Sequence, residues 1–155
     1  MENAFMARAI ELSLENVHSG GGGPFGAVVV KDRAIVAEGV NRVTATNDPT
    51  AHAEVLAIRQ ACRQLGTFEL RGCDLYSSCE PCPMCLGAIY WARLARIYFA
   101  ASKEDASKAG FDDSFIYQEF RRRRDQRKIP MVRVKNHRAL DAFRSWEQQT
   151  NKVPY

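Results

Sequence analysis

The chain has 155 residues, the size of one ordinary domain, and all of it is read as a single domain. At 46% hydrophobic and 26% charged it can bury a core and stay in solution, and no stretch approaches the roughly 20 apolar residues of a membrane span. The formal net charge of +4 points only weakly to nucleic acid, and much of the excess sits in one run, Phe120 to Lys128, "FRRRRDQRK".

The first residues carry acids and an amphipathic period rather than the basic start and apolar block of a secretory signal, so the chain is expected in the cytoplasm, with reduced cysteines. Phe5, Met6, Ala9, Ile10, Leu12 and Val17 recur at near-helical spacing and predict a helix over residues 3–17, ended by the glycines at 20–23. Phe25–Lys31 reads as a strand, Asp32-Arg33 as a turn and Ala34–Val40 as the partner strand. Residues 42–50 are turn-forming, and Thr50 is placed to cap a helix from Ala51 to Leu65. "CDLYSS", residues 73–78, reads as a central strand, and Cys82 to Leu94 as a helix with Pro81 just before its first turn. "ARIYFAA", residues 95–101, and "MVRVK", residues 131–135, read as two more strands. "SFIYQEF" begins a helix at Ser114, and "RALDAFRSWEQQT", residues 138–150, closes the chain as another. Strands alternating with helices imply an α/β sandwich with helices on the sheet faces.

Gly21, Gly23 and Gly26 satisfy G-x-G-x-x-G in form. The dinucleotide fingerprint needs a strand before it and a helix after, whereas here a helix precedes and a strand follows. These glycines are read as a flexible turn beside whatever site forms.

The chemistry concentrates in two segments. "TAHAEVLAI", Thr50 to Ile58, sets His52 and Glu54 one residue apart. "SCEPCPMCLG", residues 78–87, holds three of the five cysteines as two overlapping Cys-x-x-Cys pairs, Cys79 with Cys82 and Cys82 with Cys85. Together they spell H-x-E followed by P-C-x-x-C, the signature of zinc nucleobase deaminases. One imidazole and two thiolates are good zinc ligands, and cysteines in a helix's first turn face N–H groups that favour the thiolate. Three protein ligands leave a position open for water, as catalytic zinc requires, whereas a structural site takes four. A single Zn2+ per chain is therefore assigned to His52, Cys82 and Cys85, with Glu54 as the acid/base beside it. Cys79, ending the preceding strand, is expected in the packing or the pocket wall. The rival readings fit less of the pattern. A four-ligand zinc recruiting Cys79 leaves the Glu54 spacing unexplained, a redox Cys-x-x-Cys leaves His52 idle, and a catalytically dead zinc module has no need of Glu54.

At these residues the chain resembles the cytidine deaminase-like superfamily and, within it, the bacterial guanine deaminases. The resemblance runs over essentially the full length, through "GGPFGAVVVKD", "NDPTAHAEV", "SSCEPCPMCLGAIYWAR", "AGFDDSFIY" and the terminal Tyr155. The zinc motif marks the superfamily; the aspartate-bearing "GFDDSFIY" and the aromatic C-terminus mark the guanine branch. The resemblance implies a three-layer α/β/α sandwich on a mixed five-stranded sheet, and a homodimer whose C-terminal segments are exchanged so that each closes its partner's site. It carries Asn41 to hydrogen-bond the purine, Phe25 to pack on it, Ala53 to contact it and Trp91 to wall the site. It carries Asp113 and Tyr155 to the partner's pocket, with Asp113 chosen over Asp112 because adjacent residues cannot both face one pocket.

The implied reaction is attack of an activated water on guanine C2, with Glu54 moving the protons and Asp113 assisting the departing amine, to leave xanthine and ammonia. An acidic group suits guanine, whose N1–H and amine are donors, and a buried site rejects other patterns by leaving polar groups unpaired. A guanosine deaminase is the alternative, if the tail leaves room for ribose. A tRNA adenosine deaminase using the 120–128 run ranks lower, because such runs are usually solvated helix ends and the chain finishes "NKVPY". The partners implied are a small purine base and a second copy of the chain, with no membrane and no nucleic acid.

Overall fold

The structure is a computed structural model describing residues 3–155, in two units, one ending at Ser114 and one from Phe115 to Tyr155. The first unit runs α1 (Ala4–His18), β1 (Gly26–Lys31), β2 (Ala34–Val40), α2 (Val43–Thr46), α3 (Ala53–Leu65), β3 (Asp74–Cys79), α4 (Pro83–Trp91), β4 (Arg96–Ala101) and α5 (Lys103–Lys108). Strand β1 sends alternate side chains to two cores, as the period of a strand requires. Ala27 and Val29 join Leu75, Ala53, Ala57 and Ile89 on the face covered by α3 and α4. Val28 and Val30 join Tyr76, Ala9 and Leu12 on the face covered by α1. The expected three-layer α/β/α sandwich follows.

The sheet is mixed, in the order β2-β1-β3-β4. Strand β1 is antiparallel to both neighbours, and β3 pairs parallel with β4 across the α4 connection. Asp32 and Arg33 both take positive φ, +48° and +63°, the backbone that a two-residue hairpin turn needs. Gly39 faces α3 so closely that a Cβ would strike Ala53 O and Ala57 N, so a bare backbone there lets the start of α3 sit on the sheet.

Several expectations change. The sheet has four strands, not five, among the described residues. "MVRVK" forms no strand: Val132 and Val134 are 82% and 83% exposed. Its alternating valines fit a pleated surface, but a strand exists only when another strand takes its N–H and C=O groups. Helix α3 begins at Ala53 rather than Ala51, because Asp48 Oδ1 accepts both the Thr50 N–H (2.8 Å) and its hydroxyl (2.7 Å), holding Thr50 in a turn. Helix α4 stops at Trp91 rather than Leu94, where Arg93 turns to φ +57°. Helix α5 has no counterpart in the sequence reading, although Ser102 and Asp105 form a capping box whose spacing announces a helix start.

The second unit follows from α6 (Ser114–Arg121) through 3-10 turns at Arg124–Gln126 and His137–Leu140 to α7 (Asp141–Gln148), so the closing helix is split rather than continuous. None of its residues from Phe115 on is buried. The basic run lies at the end of α6, where Arg122 pairs with Glu119 (2.8 Å), Arg123 with Asp125 (3.3 Å), and Arg127 donates to Glu119 O (3.1 Å). No helix among the described residues is long and apolar enough to cross a membrane.

Candidate active site

Two helices begin at the site, and the residues that begin them carry the chemistry. His52 is the N-cap of α3 and Cys82 the N-cap of α4, and neither side chain makes a capping hydrogen bond. Cys85 follows on the first turn of α4, after Pro83, whose missing N–H costs nothing there. The positive ends of both helices therefore converge on the thiols, and both favour negative charge. His52 Nδ1 lies 3.6 Å from Cys82 Sγ and 3.4 Å from Cys85 Sγ, and the three donor atoms fall within 4.8 Å of one another. Tetrahedral zinc, with bonds of about 2.0–2.1 Å to nitrogen and about 2.3 Å to sulfur, needs an N···S separation of about 3.5–3.6 Å. The donor set fits zinc in kind and in spacing.

Ionisation in the cluster is uneven. Cys82 is brought down to about 4, first by its hydrogen bond with the Cys85 thiol and then by His52, so it is a thiolate at neutral pH. The same bond, with burial, pushes Cys85 up. The Cys82 thiolate raises His52. Cys79 is pushed up to about 11 by burial, and its thiol points at Ser102 O (3.7 Å), outside the donor cluster.

Glu54 sits on the first turn of α3 at 6% exposure. Ser77 of β3 donates to its Oε1 (3.3 Å), and Cys85 Sγ lies 3.5 Å from its Oε2. Burial raises its carboxyl above the ordinary range, the setting of a group that takes and returns a proton.

The cluster opens into a cavity of about 600 Å³, within the size range of small-molecule sites. His52, Glu54 and Cys82 form its floor, and Phe25, Asn41 and Asp113 stand in its wall. The Phe25 ring meets Phe111 edge-on, with centroids 5.0 Å apart. Asp112 also borders the cavity, but its Oδ1 accepts the Ser114 N–H (2.9 Å) at the start of α6. Asp113 is the more buried of the two, and burial followed by the Cys82 charge raises its carboxyl. Asp113 borders the cavity of its own chain, where a partner's cavity was expected, because the turn after α5 returns it to the cluster.

Two expected residues lie elsewhere. Trp91 ends α4, roughly 13 Å from Cys82 at 1.5 Å per residue, and is 65% exposed rather than a wall of the cavity. The Ala53 side chain is fully buried in the core, so any contact with a substrate falls to its backbone, whose N–H is among the first of α3 and has no carbonyl within the helix. Tyr155 belongs to the second unit and is exposed. Sequence reasoning missed Ser77, Glu80, Lys103 and Phe111, of which all but Ser77 border the cavity. Only Lys103 had a readable signal, the capping box around it.

Residues 1–101 match the model of a family described as the cytidine and deoxycytidylate deaminase zinc-binding region, a span that takes in all four of His52, Glu54, Cys82 and Cys85. A guanine deaminase of Bacillus subtilis (strain 168) is 56% identical over 151 residues, 97% of each chain. The X-ray structure of guanine deaminase from Bacillus subtilis matches at 55% identity with a TM-score of 0.97, covering 100% of this chain and 99% of that one. A tRNA-specific adenosine deaminase of Aquifex aeolicus (strain VF5) is 47% identical over 78 residues, 50% of this chain and 52% of its own. That shorter likeness stops short of the full length that the guanine deaminase likeness reaches. On this match and on the cluster that satisfies it, the chain belongs to the cytidine and deoxycytidylate deaminase zinc-binding family.

Proposed function

We propose that the chain is a zinc-dependent guanine deaminase that hydrolyses guanine to xanthine and ammonia in purine breakdown. The observation that carries the reading is a buried carboxylate 3.5 Å from a His/Cys/Cys donor set that borders a cavity of about 600 Å³, in a chain similar to a guanine deaminase over 97% of its length. Zinc held by His52, Cys82 and Cys85 supplies a Lewis acid that lowers the pKa of a water to about 7. Glu54 takes a proton from the water that attacks guanine C2 and passes it on as the C2–N bond breaks, so that the amine leaves as ammonia. Phe25 packs on the ring, Asn41 hydrogen-bonds its edge, the Ala53 backbone faces it, and the Asp113 carboxyl meets the donors at N1 and the amine. The five free cysteines, two of them ligands, suit a reducing cytoplasm.

The test is ammonia release by the zinc-loaded protein from guanine and guanosine side by side. Turnover of guanine alone is expected. Preference for guanosine would reassign the substrate to the nucleoside, and release from neither would overturn the activity.

We infer, too, that two chains exchange their C-terminal segments and that both units make one deaminase domain. Among the described residues strand β4 has a partner on one side only, and the exposed, alternating "MVRVK" has the composition of a strand without a sheet. An open edge and an unpaired strand-former complement each other across a two-fold. On this reading Tyr155 acts in the partner's site and Asp113 in its own. Co-refolding Glu54→Gln chains with Tyr155→Ala chains is expected to restore activity to roughly a quarter of the unsubstituted level, because half the dimers are mixed and each holds one intact site. No recovery in mixed dimers resolved by mass would count against exchange.

A further inference from the structure

The glycine turn at 20–23 has so far had no role, and Gly20, Gly22 and Gly23 border the cavity. What holds that turn is Asn16, near the end of α1, a polar side chain only 5% exposed. Both protons of its amide are committed. Nδ2 donates to Gly23 O at 2.9 Å and to Asn41 O at 2.9 Å. The turn wraps the amide closely: a Cβ on Gly21 would stand 2.5 Å from Asn16 Oδ1, and one on Gly22 would stand 3.2 Å from Nδ2. The Gly21 N–H also donates to the Asn16 backbone carbonyl at 2.9 Å. One side chain thus ties the turn to the backbone of Asn41 beside it.

The tie decides which end of Asn41 meets a ligand. Asn41 Oδ1 accepts the Gly23 N–H and the Val43 N–H, each at 3.3 Å. Two backbone donors on one atom fix the amide's orientation, because the nitrogen end cannot accept. Among the described residues Asn41 Nδ2 makes no hydrogen bond and no buried side-chain nitrogen or oxygen lacks a partner, so Nδ2 is open to the cavity. Gly23 is the shared element: its carbonyl is held by Asn16 and its N–H holds Asn41.

We propose that Asn16 is a positioning residue for substrate binding: by pinning Gly23 and the Asn41 carbonyl it locks the Asn41 amide with Nδ2 turned inward, as a donor to an acceptor on the purine edge. This rests on the guanine deaminase reading. Asn16 touches no substrate and acts through Asn41. A base is held in the same way before and during the reaction, so the effect falls on KM and not on kcat.

The test is steady-state kinetics with guanine on zinc-loaded Asn16→Asp, which keeps the shape but replaces the donor with a second acceptor. A rise in KM of about 10- to 100-fold with kcat within severalfold is expected, from loss of a preorganised hydrogen bond in a buried site. Zinc content stays unchanged. Asn16→Ala is made alone and with Asn41→Ala. If Asn16 works through Asn41, the second substitution adds little to KM once the first is present. Additive effects on KM, a fall in kcat at constant KM, or loss of folding in both Asn16 variants would each assign Asn16 to stability and overturn the proposal. Absence of guanine turnover in the unsubstituted chain would overturn the activity itself, and with it this role; an unchanged KM in an active Asn16→Asp chain would overturn this role alone.

Discussion

Glu54→Gln is expected to lower kcat for guanine by about 10²–10⁴-fold, the usual worth of a positioned acid/base, while zinc content holds. Glutamine keeps the shape and an oxygen for the Ser77 hydroxyl, so the packing at the start of α3 is retained. What it removes is the capacity of Oε2 to accept a proton in the floor of the cavity. Burial raises this carboxyl, which suits a group that must be an acceptor in one half of the reaction and a donor in the other. Metal analysis and steady-state kinetics on the same preparation check the outcome. A fall of less than about tenfold would place Glu54 outside the proton transfers.

Cys82→Ala is expected to abolish both zinc binding and turnover. Cys82 is the thiolate of the pair, the donor that needs no proton removed before metal can bind, and its loss leaves only His52 and a buried thiol. The second readout is thermal. In zinc at a hundredfold excess over its dissociation constant, the unsubstituted protein gains about 2.7 kcal/mol, or roughly 5–11 °C in Tm for a chain of this size. The Tm of Cys82→Ala is expected not to respond to zinc. A Tm that still rises with zinc would mean another ligand set, with Cys79 the nearest further thiol in the sequence.

The metal centre was legible because its spacing is local. His52 with Glu54, and Cys82 with Cys85, are each placed by one helix start, and helix starts follow from short-range geometry. The two helices then had only to face each other. Ser77 and Asn16 act on residues 23 and 25 positions away, and nothing in their neighbourhoods announces it. Each is a small polar residue in a segment whose pattern reads as ordinary strand or helix. Asn41 was legible only through resemblance, and the orientation of its amide was not legible at all, because two backbone N–H groups set it. "MVRVK" shows the opposite failure. Its pattern is a good strand pattern, but pattern describes a side chain's preference for a pleated surface and not the presence of one. Trp91 lies outside the cavity of its own chain for a geometric reason: a residue near the motif in sequence is carried away from it by two and a half turns of helix.

Asn3 and Ser102 start their helices with side chains that accept backbone N–H bonds, while His52 and Cys82 start theirs with side chains that make no capping bond and meet in the donor cluster. A Ser, Thr, Asp or Asn at an N-cap is worth about 1 kcal/mol over a residue that does not cap. The two helices that carry the chemistry are therefore held below their attainable stability, and improved capping is among the commonest routes by which a protein can be made more heat-resistant. For this chain that route is closed at His52 and Cys82. Any programme of thermal hardening, natural or in the laboratory, has to gain its stability at other positions and leave these two helix starts as they are.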